Sequence, residues 1–294
     1  MSLEVELKLL LPPSAQERLR EQSLLQGLAA ERFELINIYC DTPEQTLTQS
    51  GMALRLRNKG TQWLQTLKTQ GQVEGGLHRR MEWEMPVAGP ALEWSELPAD
   101  VLPSDLNRAS VSPIFETRFA RSLWVLTVDD SVIELVLDTG SVSTGAAELP
   151  LSEIELELKS GSPKALFRVA EQLAAHLPVL PSDINKAERG YRLVNGATDW
   201  PVTPNKEAPL SAWTAALCRQ CEALPASRGD LTHTLHGLME RGDIHPGLWR
   251  GLHDALQTDT EHWGELPGIQ RLGQWLVHQS AVQWQEAATE GVKQ

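Results

Sequence analysis

Cysteine is scarce: the chain of 294 residues has three, Cys40, Cys218 and Cys221. That number and spacing exclude a disulfide framework. Cys218 and Cys221 form a C-x-x-C, but no second pair accompanies them. The surrounding stretch 215–224 reads as helix, so two half-buried helical cysteines are preferred over a redox or zinc site. No apolar run reaches about 18 residues, which argues against a transmembrane helix. The opening Met1 to Glu6 carries Glu4 and Glu6 where a secretory signal would place a basic flank and an apolar stretch, so a cytoplasmic location is expected. Neither a Walker A sequence nor G-x-G-x-x-G occurs, so a P-loop or Rossmann nucleotide site is not expected. Basic residues are outnumbered, 26 Lys and Arg against 39 Asp and Glu, giving a net charge of −13. A nucleic-acid-binding surface is therefore not expected, although net charge does not exclude an internal basic cluster.

What is present changes character near residue 200. The 41% apolar content supports a sizeable core. Trp200 to Pro209 holds three prolines and reads as a linker. Before it, period-two alternation marks strands near 3–11, 33–41, 51–58, 62–70, 77–87, 113–121, 123–130, 131–138 and 150–159. Helices are expected near 14–28, 162–176 and 183–195, the second opened by Ser162-Pro163. After the linker, residues 210–290 read as three or four helices interrupted at Gly229, Gly242-Asp243 and Pro267-Gly268. Five of the ten tryptophans lie there: Trp213, Trp249, Trp263, Trp275 and Trp284. The tail histidines, His233, His236, His245, His253, His262 and His278, show no metal-ligand spacing. The tail is read as packing or as an oligomer surface.

The strands repeat one oddity. Side chains alternate across a strand, so Glu4, Glu6 and Lys8 share the face opposite Leu3, Val5, Leu7 and Leu9. Arg55 and Arg57 share a face opposite leucines, and Lys68 lines up with Gln62, Leu64 and Thr66. His78, Arg80, Glu82 and Glu84 align, as do Glu134 and Asp138, and as do Glu153, Glu155, Glu157 and Lys159. An open sheet with a wet face accommodates this pattern; so does a closed barrel with its charges inside. Solvated faces usually interleave signs, whereas here acids cluster in threes and arginines in pairs. Glutamates two apart repel unless cations lie between them, which favours a site for metal ions. Arginine pairs favour phosphate oxygens. Carboxylates holding Mg²⁺ or Mn²⁺ beside Arg and Lys are the two halves of a metal–phosphate site.

Glu4-Val5-Glu6-Leu7-Lys8 resembles the ExExK motif of the CYTH superfamily, the triphosphate tunnel metalloenzymes. The resemblance continues in order through Tyr39-Cys40-Asp41-Thr42, Leu54-Arg55-Leu56-Arg57, Thr66-Leu67-Lys68, Arg80 with Glu82, Thr117-Arg118, Asp138, Glu153-Ile154-Glu155 and Lys186, over about residues 1–195. It implies an α+β fold: a closed eight-stranded antiparallel β-barrel, or tunnel, with flanking helices, followed by a small all-α C-terminal region. The expected organisation is a tunnel domain at 1–200, a linker at 201–209 and a helical part at 210–294. The segments 35–39, 75–78 and 186–191 look most like bacterial inorganic triphosphatases that join this domain to a helical CHAD domain. The tail is shorter than a full CHAD domain, so it is read as a reduced or divergent relative, or as an unrelated bundle.

By this resemblance, Glu4, Glu6, Glu153 and Glu155 are metal-side carboxylates, and Glu82 and Asp138 support the metal or its waters. Glu157 replaces a neighbour if the register slips by two, and Asp138 is alternatively a turn residue before Thr139-Gly140. Lys8, Arg55, Arg57, Lys68, Arg80, Arg118 and Lys186 line the phosphate side. Arg121 is the alternative to Arg118, because the two differ in strand parity. Glu4, Glu6, Lys8 and Glu155 are the expected catalytic set. The expected reaction is Mg²⁺- or Mn²⁺-dependent hydrolysis of inorganic triphosphate to diphosphate and phosphate. The alternatives are an organic triphosphate hydrolase acting on thiamine or nucleoside triphosphate, an adenylate cyclase, or a non-catalytic polyphosphate binder. The expected partner is a small polyphosphate, with neither nucleic acid nor membrane.

Overall fold

The computed structural model describes residues 1–196, 203–223, 228–240 and 262–291. The strands are β1 (Ser2–Leu10), β2 (Glu31–Asp41), β3 (Ala53–Lys59), β4 (Gln62–Lys68), β5 (Gln72–Glu74), β6 (Leu77–Val87), β7 (Ser112–Val128), β8 (Ser131–Ser143), β9 (Glu148–Ser160) and β10 (Leu180–Pro181). Eight of them close a ring in the order β1-β9-β8-β7-β2-β3-β4-β6, with β6 pairing back to β1. Every neighbouring pair in the ring is antiparallel. The short β5 and β10 add to β6 and β1. The open-sheet alternative is thereby excluded, and with it the unpaired edges such a sheet would expose.

Closure follows from the two-residue alternation. The apolar face of β1, β8 and β9 packs outward through Leu7, Leu9, Ile133, Leu135, Leu137, Ile154 and Leu156. The helix α3 (Lys164–Ala174) covers it with Leu166, Phe167, Val169, Ala170 and Leu173, all buried. Ser162 opens α3 by accepting the Lys164 N–H at 3.3 Å. The last helix described, α7 (Ile269–Gly291), joins the same cluster through Val277, Ala281 and Trp284. Each leucine-sized side chain withdrawn from water in this cluster contributes about 2 kcal/mol before chain entropy is subtracted. The charged faces of the same strands are thus forced inward.

Three expectations change in detail. The segments 113–121 and 123–130 are one continuous strand of 17 residues, β7, in which Arg121-Ser122-Leu123 is paired on both sides, with β2 and with β8. β8 runs on to Ser143, so Asp138 lies mid-strand and is not a turn residue. The helix expected at 14–28 is α1 (Gln16–Arg20) followed by a separate turn at Ser23–Leu25. A four-residue helix, α2 (Thr46–Gln49), was not expected.

In the C-terminal part, α5 (Leu210–Glu222) and α6 (Arg228–Glu240) precede α7. Trp213, Leu217, Cys218, Cys221, Leu231 and Leu235 pack with Leu10, Leu180 and Ile184. Cys218 and Cys221 are fully buried rather than half-buried, and burial pushes both thiols up, which suits packing rather than redox work. Gly242-Asp243, Trp249, His245, His253 and the expected boundary at residue 200 lie outside the described residues. Among the described residues, no helix is long and apolar enough to cross a membrane.

Candidate active site

The ring encloses a cavity of about 480 Å³. Its wall carries Glu4, Glu6 and Lys8 from β1, Arg55 and Arg57 from β3, Lys68 from β4, Arg80, Glu82 and Glu84 from β6, Arg121 from β7, Glu134 from β8, and Glu155 and Glu157 from β9. Lys186 enters from α4 (Lys186–Val194), which lies against one end of the ring. Asn185 starts α4 by accepting the Glu188 N–H at 2.9 Å. Gly190 lets the helix come close, since a Cβ there would meet the Phe115 ring at 2.0 Å.

The acids are bound by cations. Lys68 Nζ donates to both Glu4 oxygens, at 2.6 and 2.8 Å, and lies 3.3 Å from Glu82. Arg80 bridges Glu4 (2.8 Å) and Glu6 (2.5 Å), its strand neighbours across the β1–β6 pairing. Burial alone would raise the Glu4 carboxyl, but Lys68 and Arg80 hold it well below the usual range. Lys8 lies 3.1 Å from Glu6 and also binds Glu155. Asp138, fully buried, takes both ends of the Arg121 fork at 2.7 and 2.6 Å, and Arg121 reaches on to Glu155 at 2.9 Å. Burial opposes ionisation of Asp138, yet Arg121 and Lys186 keep it ionised.

Asp138, Glu153 and Glu155 offer carboxylate oxygens within 4.8 Å of one another. Lys186 Nζ touches all three: Asp138 at 2.7 Å, Glu155 at 3.0 Å, and Glu153. Burial would lower the Lys186 ammonium, but these acids raise it. Three hard oxygen donors gathered around one positive charge fit a divalent cation chemically, with Lys186 now supplying that charge. In this arrangement Lys8 and Lys186 neutralise acids rather than stand apart as a phosphate-facing pair.

The arginines of β3 are placed differently. Arg57 Nε donates to Asn37 at 2.8 Å, and Asn37 is fixed by Thr117 at 2.7 Å. Arg57 has no carboxylate at bonding distance among the described residues, and burial together with Arg55 and Arg121 pushes its guanidinium down to about 10. Arg55 approaches Glu82 only to 3.8 Å, and its buried Nε has no partner among the described residues. Tyr39, stacked on Phe115 at 4.5 Å, lies beside Arg55.

Arg118 is a correction. Its side chain is 61% exposed and bonds Glu116 on the outside, because it sits one residue out of phase with Arg121. Arg121 is the inward residue of the pair. The β1–β9 register pairs Lys8 with Glu155 and Glu6 with Glu157, so the Glu153/Glu155 pair stands nearest α4 and Glu157 lies further along the tunnel beside Lys159. Sequence reasoning did not single out Asn37, although it lies in the 35–39 segment that carried the family likeness. It also missed Arg189, buried and bound to Glu153, although Lys186 three residues earlier marks the same helix face. The aromatic residues lining the cavity are Phe33 and Tyr39. Lys59 stands 3.7 Å from the Phe33 ring centre, while Trp83 packs in an outer apolar cluster.

Residues 2–191 match the family described as the CYTH domain. An inorganic triphosphatase of Haemophilus influenzae is 36% identical over 205 residues, covering 68% of this chain and 58% of that protein. The chain therefore spans little more than half the length of that relative. A Hippeastrum protein described as an adenylyl cyclase with dominant triphosphatase activity aligns at 20% identity and a TM-score of 0.49, covering 64% of this chain and 95% of its own. A Bacillus halodurans protein described as an adenylate cyclase aligns at 20% identity and a TM-score of 0.44, covering 64% and 98%.

Proposed function

The chain belongs to the CYTH domain family, and from that premise we propose that its tunnel hydrolyses inorganic triphosphate to diphosphate and phosphate with the help of Mg²⁺ or Mn²⁺. One observation carries the reading: Arg55 and Arg57 hold positive charge inside the cavity without a carboxylate in tight contact, facing a wall of paired acids. Buried guanidinium charge that its neighbours balance only loosely is costly and would be relieved by an anionic ligand. The 36% identical relative named an inorganic triphosphatase supports the same reaction.

Glu4, Glu6, Glu153 and Glu155 would hold the divalent cation, with Asp138 and Glu82 supporting it. When bound, the cation polarises phosphoryl oxygens and makes water more acidic. Arg55 and Arg57 would grip phosphate oxygens with the fork geometry that guanidinium provides, while Arg121, its fork spent on Asp138 and Glu155, adds positive charge to the tunnel wall. Lys68 and Arg80, shared between Glu4, Glu82 and Glu6, orient the acids and neutralise charge that builds on the leaving diphosphate. Lys8, Lys186 and Arg121 hold Glu155 well below the usual carboxylate range, so it would orient the attacking water as a hydrogen-bond acceptor rather than act as a strong base. Phosphoryl transfer needs little covalent help, and positioning with charge stabilisation carries it.

A wall whose aromatics are Phe33 and Tyr39, the first beneath Lys59, offers no paired stacking platform for a base or thiazole, which favours the inorganic substrate. Phosphate release from triphosphate, ATP and thiamine triphosphate, each with Mg²⁺ or Mn²⁺, tests the reading. Fastest turnover of triphosphate is expected. Faster release from either organic substrate overturns the substrate assignment, and no release from any of them makes the protein a binder.

A further inference from the structure

We infer that Glu222, on the C-terminal helix α5, is a positioning residue for the tunnel, acting through Arg189 on Glu153. The inference rests on the metal-binding reading of that carboxylate.

Arg189 is 3% exposed and holds two acids at once. Its Nη1 donates to Glu153 Oε2 inside the ring. Its Nε and Nη2 donate to Glu222 Oε1 at 2.9 and 2.6 Å. Lys186, one turn earlier on α4, holds the other Glu153 oxygen. Both oxygens of Glu153 are thus occupied by α4, and how strongly Arg189 draws on one of them depends on Glu222. Two donors of the Arg189 fork are spent on Glu222, and the carboxylate of Glu222 cancels part of the guanidinium charge that Glu153 feels. Without it, Arg189 becomes a full positive neighbour of Glu153, and the carboxylate becomes a weaker ligand for a cation.

The seat of Glu222 is firm. α5 is anchored on the barrel by buried Leu217, Cys218 and Cys221, with Cys218 Sγ 3.1 Å from the Pro181 carbonyl oxygen on β10. A second ion pair ties the same two helices but stays outside the tunnel: Arg219 Nε donates to Glu188 Oε1 at 2.7 Å. The two pairs separate a relay from simple docking. Breaking either loosens α5 on α4, but only Glu222 touches a residue that touches the acid wall.

The experiment measures Mn²⁺ binding directly, by the loss of free-ion electron paramagnetic resonance signal, on the full chain without substrate. Glu222→Gln is expected to weaken Mn²⁺ about tenfold, the scale on which outer partners tune metal ligands. Arg219→Gln is expected to leave Mn²⁺ affinity within about twofold, and Glu222→Asp to restore part of the loss. Thermal melting of each variant verifies the fold. Unchanged Mn²⁺ affinity in a folded Glu222→Gln protein overturns the inference, as does an equal loss in Arg219→Gln, which would make the effect one of docking. If the parent protein binds no Mn²⁺ at all, the metal reading falls first and this inference with it.

Discussion

The two walls of the tunnel teach opposite lessons about buried charge. On β1, β8 and β9, Glu4, Glu6, Asp138, Glu153 and Glu155 each meet two or more lysines or arginines. On β3, Arg57 bonds an amide and Arg55 stands 3.8 Å from its nearest carboxylate. The first wall satisfies itself; the second carries charge that the proposed phosphate ligand would satisfy. Burial of charge is tolerated in the first by pairing, and on the proposed reading in the second by function.

The hardest blow to this contrast comes from the acid wall. Glu4→Gln or Glu6→Gln should lower kcat for triphosphate about 10³-fold with KM changed by less than about tenfold, since what is lost is stabilisation of the transition state. Steady-state phosphate release measures it, and normal turnover in either variant would remove the metal-side role. Next, Arg121→Ala should cost about 100-fold in kcat/KM, whereas Arg118→Ala should stay within about twofold, because one arginine faces the tunnel and the other faces water. Equal effects would contradict the strand phase. Arg57→Ala should raise KM about 30-fold with little change in kcat, the worth of a charged hydrogen bond to a phosphate oxygen. A loss confined to kcat would move Arg57 to the opposite wall in function.

The smallest catalytic effect is expected at His78, and its signature is in stability. Burial, with Lys8 nearby, lowers the imidazole from 6.5 to about 4. The unfolded chain therefore takes up a proton near pH 6.5 that the native protein refuses until about pH 4. The contribution to stability is complete above pH 6.5 and is lost as pH falls through that window, up to about 3 kcal/mol. Glu157 and Asp183, raised mainly by burial, work in the opposite direction and reduce the net slope. Denaturant melts of metal-free protein between pH 4 and 7 should show a flatter profile for His78→Gln than for the parent. Parallel profiles would place the proton uptake elsewhere.

Much of this was legible because alternation is a local property. Glu4-Val5-Glu6-Leu7-Lys8 announces which side chains share a face, and the closed ring needs only that those faces agree. Phase also left Arg118 and Arg121 as alternatives, and only the registered ring decided between them. Length was less legible: the break expected between 121 and 123 and the strand end expected at 138 both arose from short windows, while β7 and β8 run 17 and 13 residues. What no window contains is long-range pairing. Asn37 supports Arg57 from a neighbouring strand, and Glu222 reaches Arg189 across 33 positions of chain. Such contacts depend on how helices settle on the barrel, which propensity and period do not encode.

The stave that closes the ring is also the first one in the chain. β1 carries three of the candidate site residues, and its partners within the ring are β6 and β9. Its opening strand therefore stays an unfinished edge until residues up to 160 have been made, with glutamates and a lysine lacking the counter-charges that later strands bring. The β1–β9 pairing completes shape and electrostatics together, so a chain cut short before β9 would be an unsealed sheet, prone to pair with its own kind.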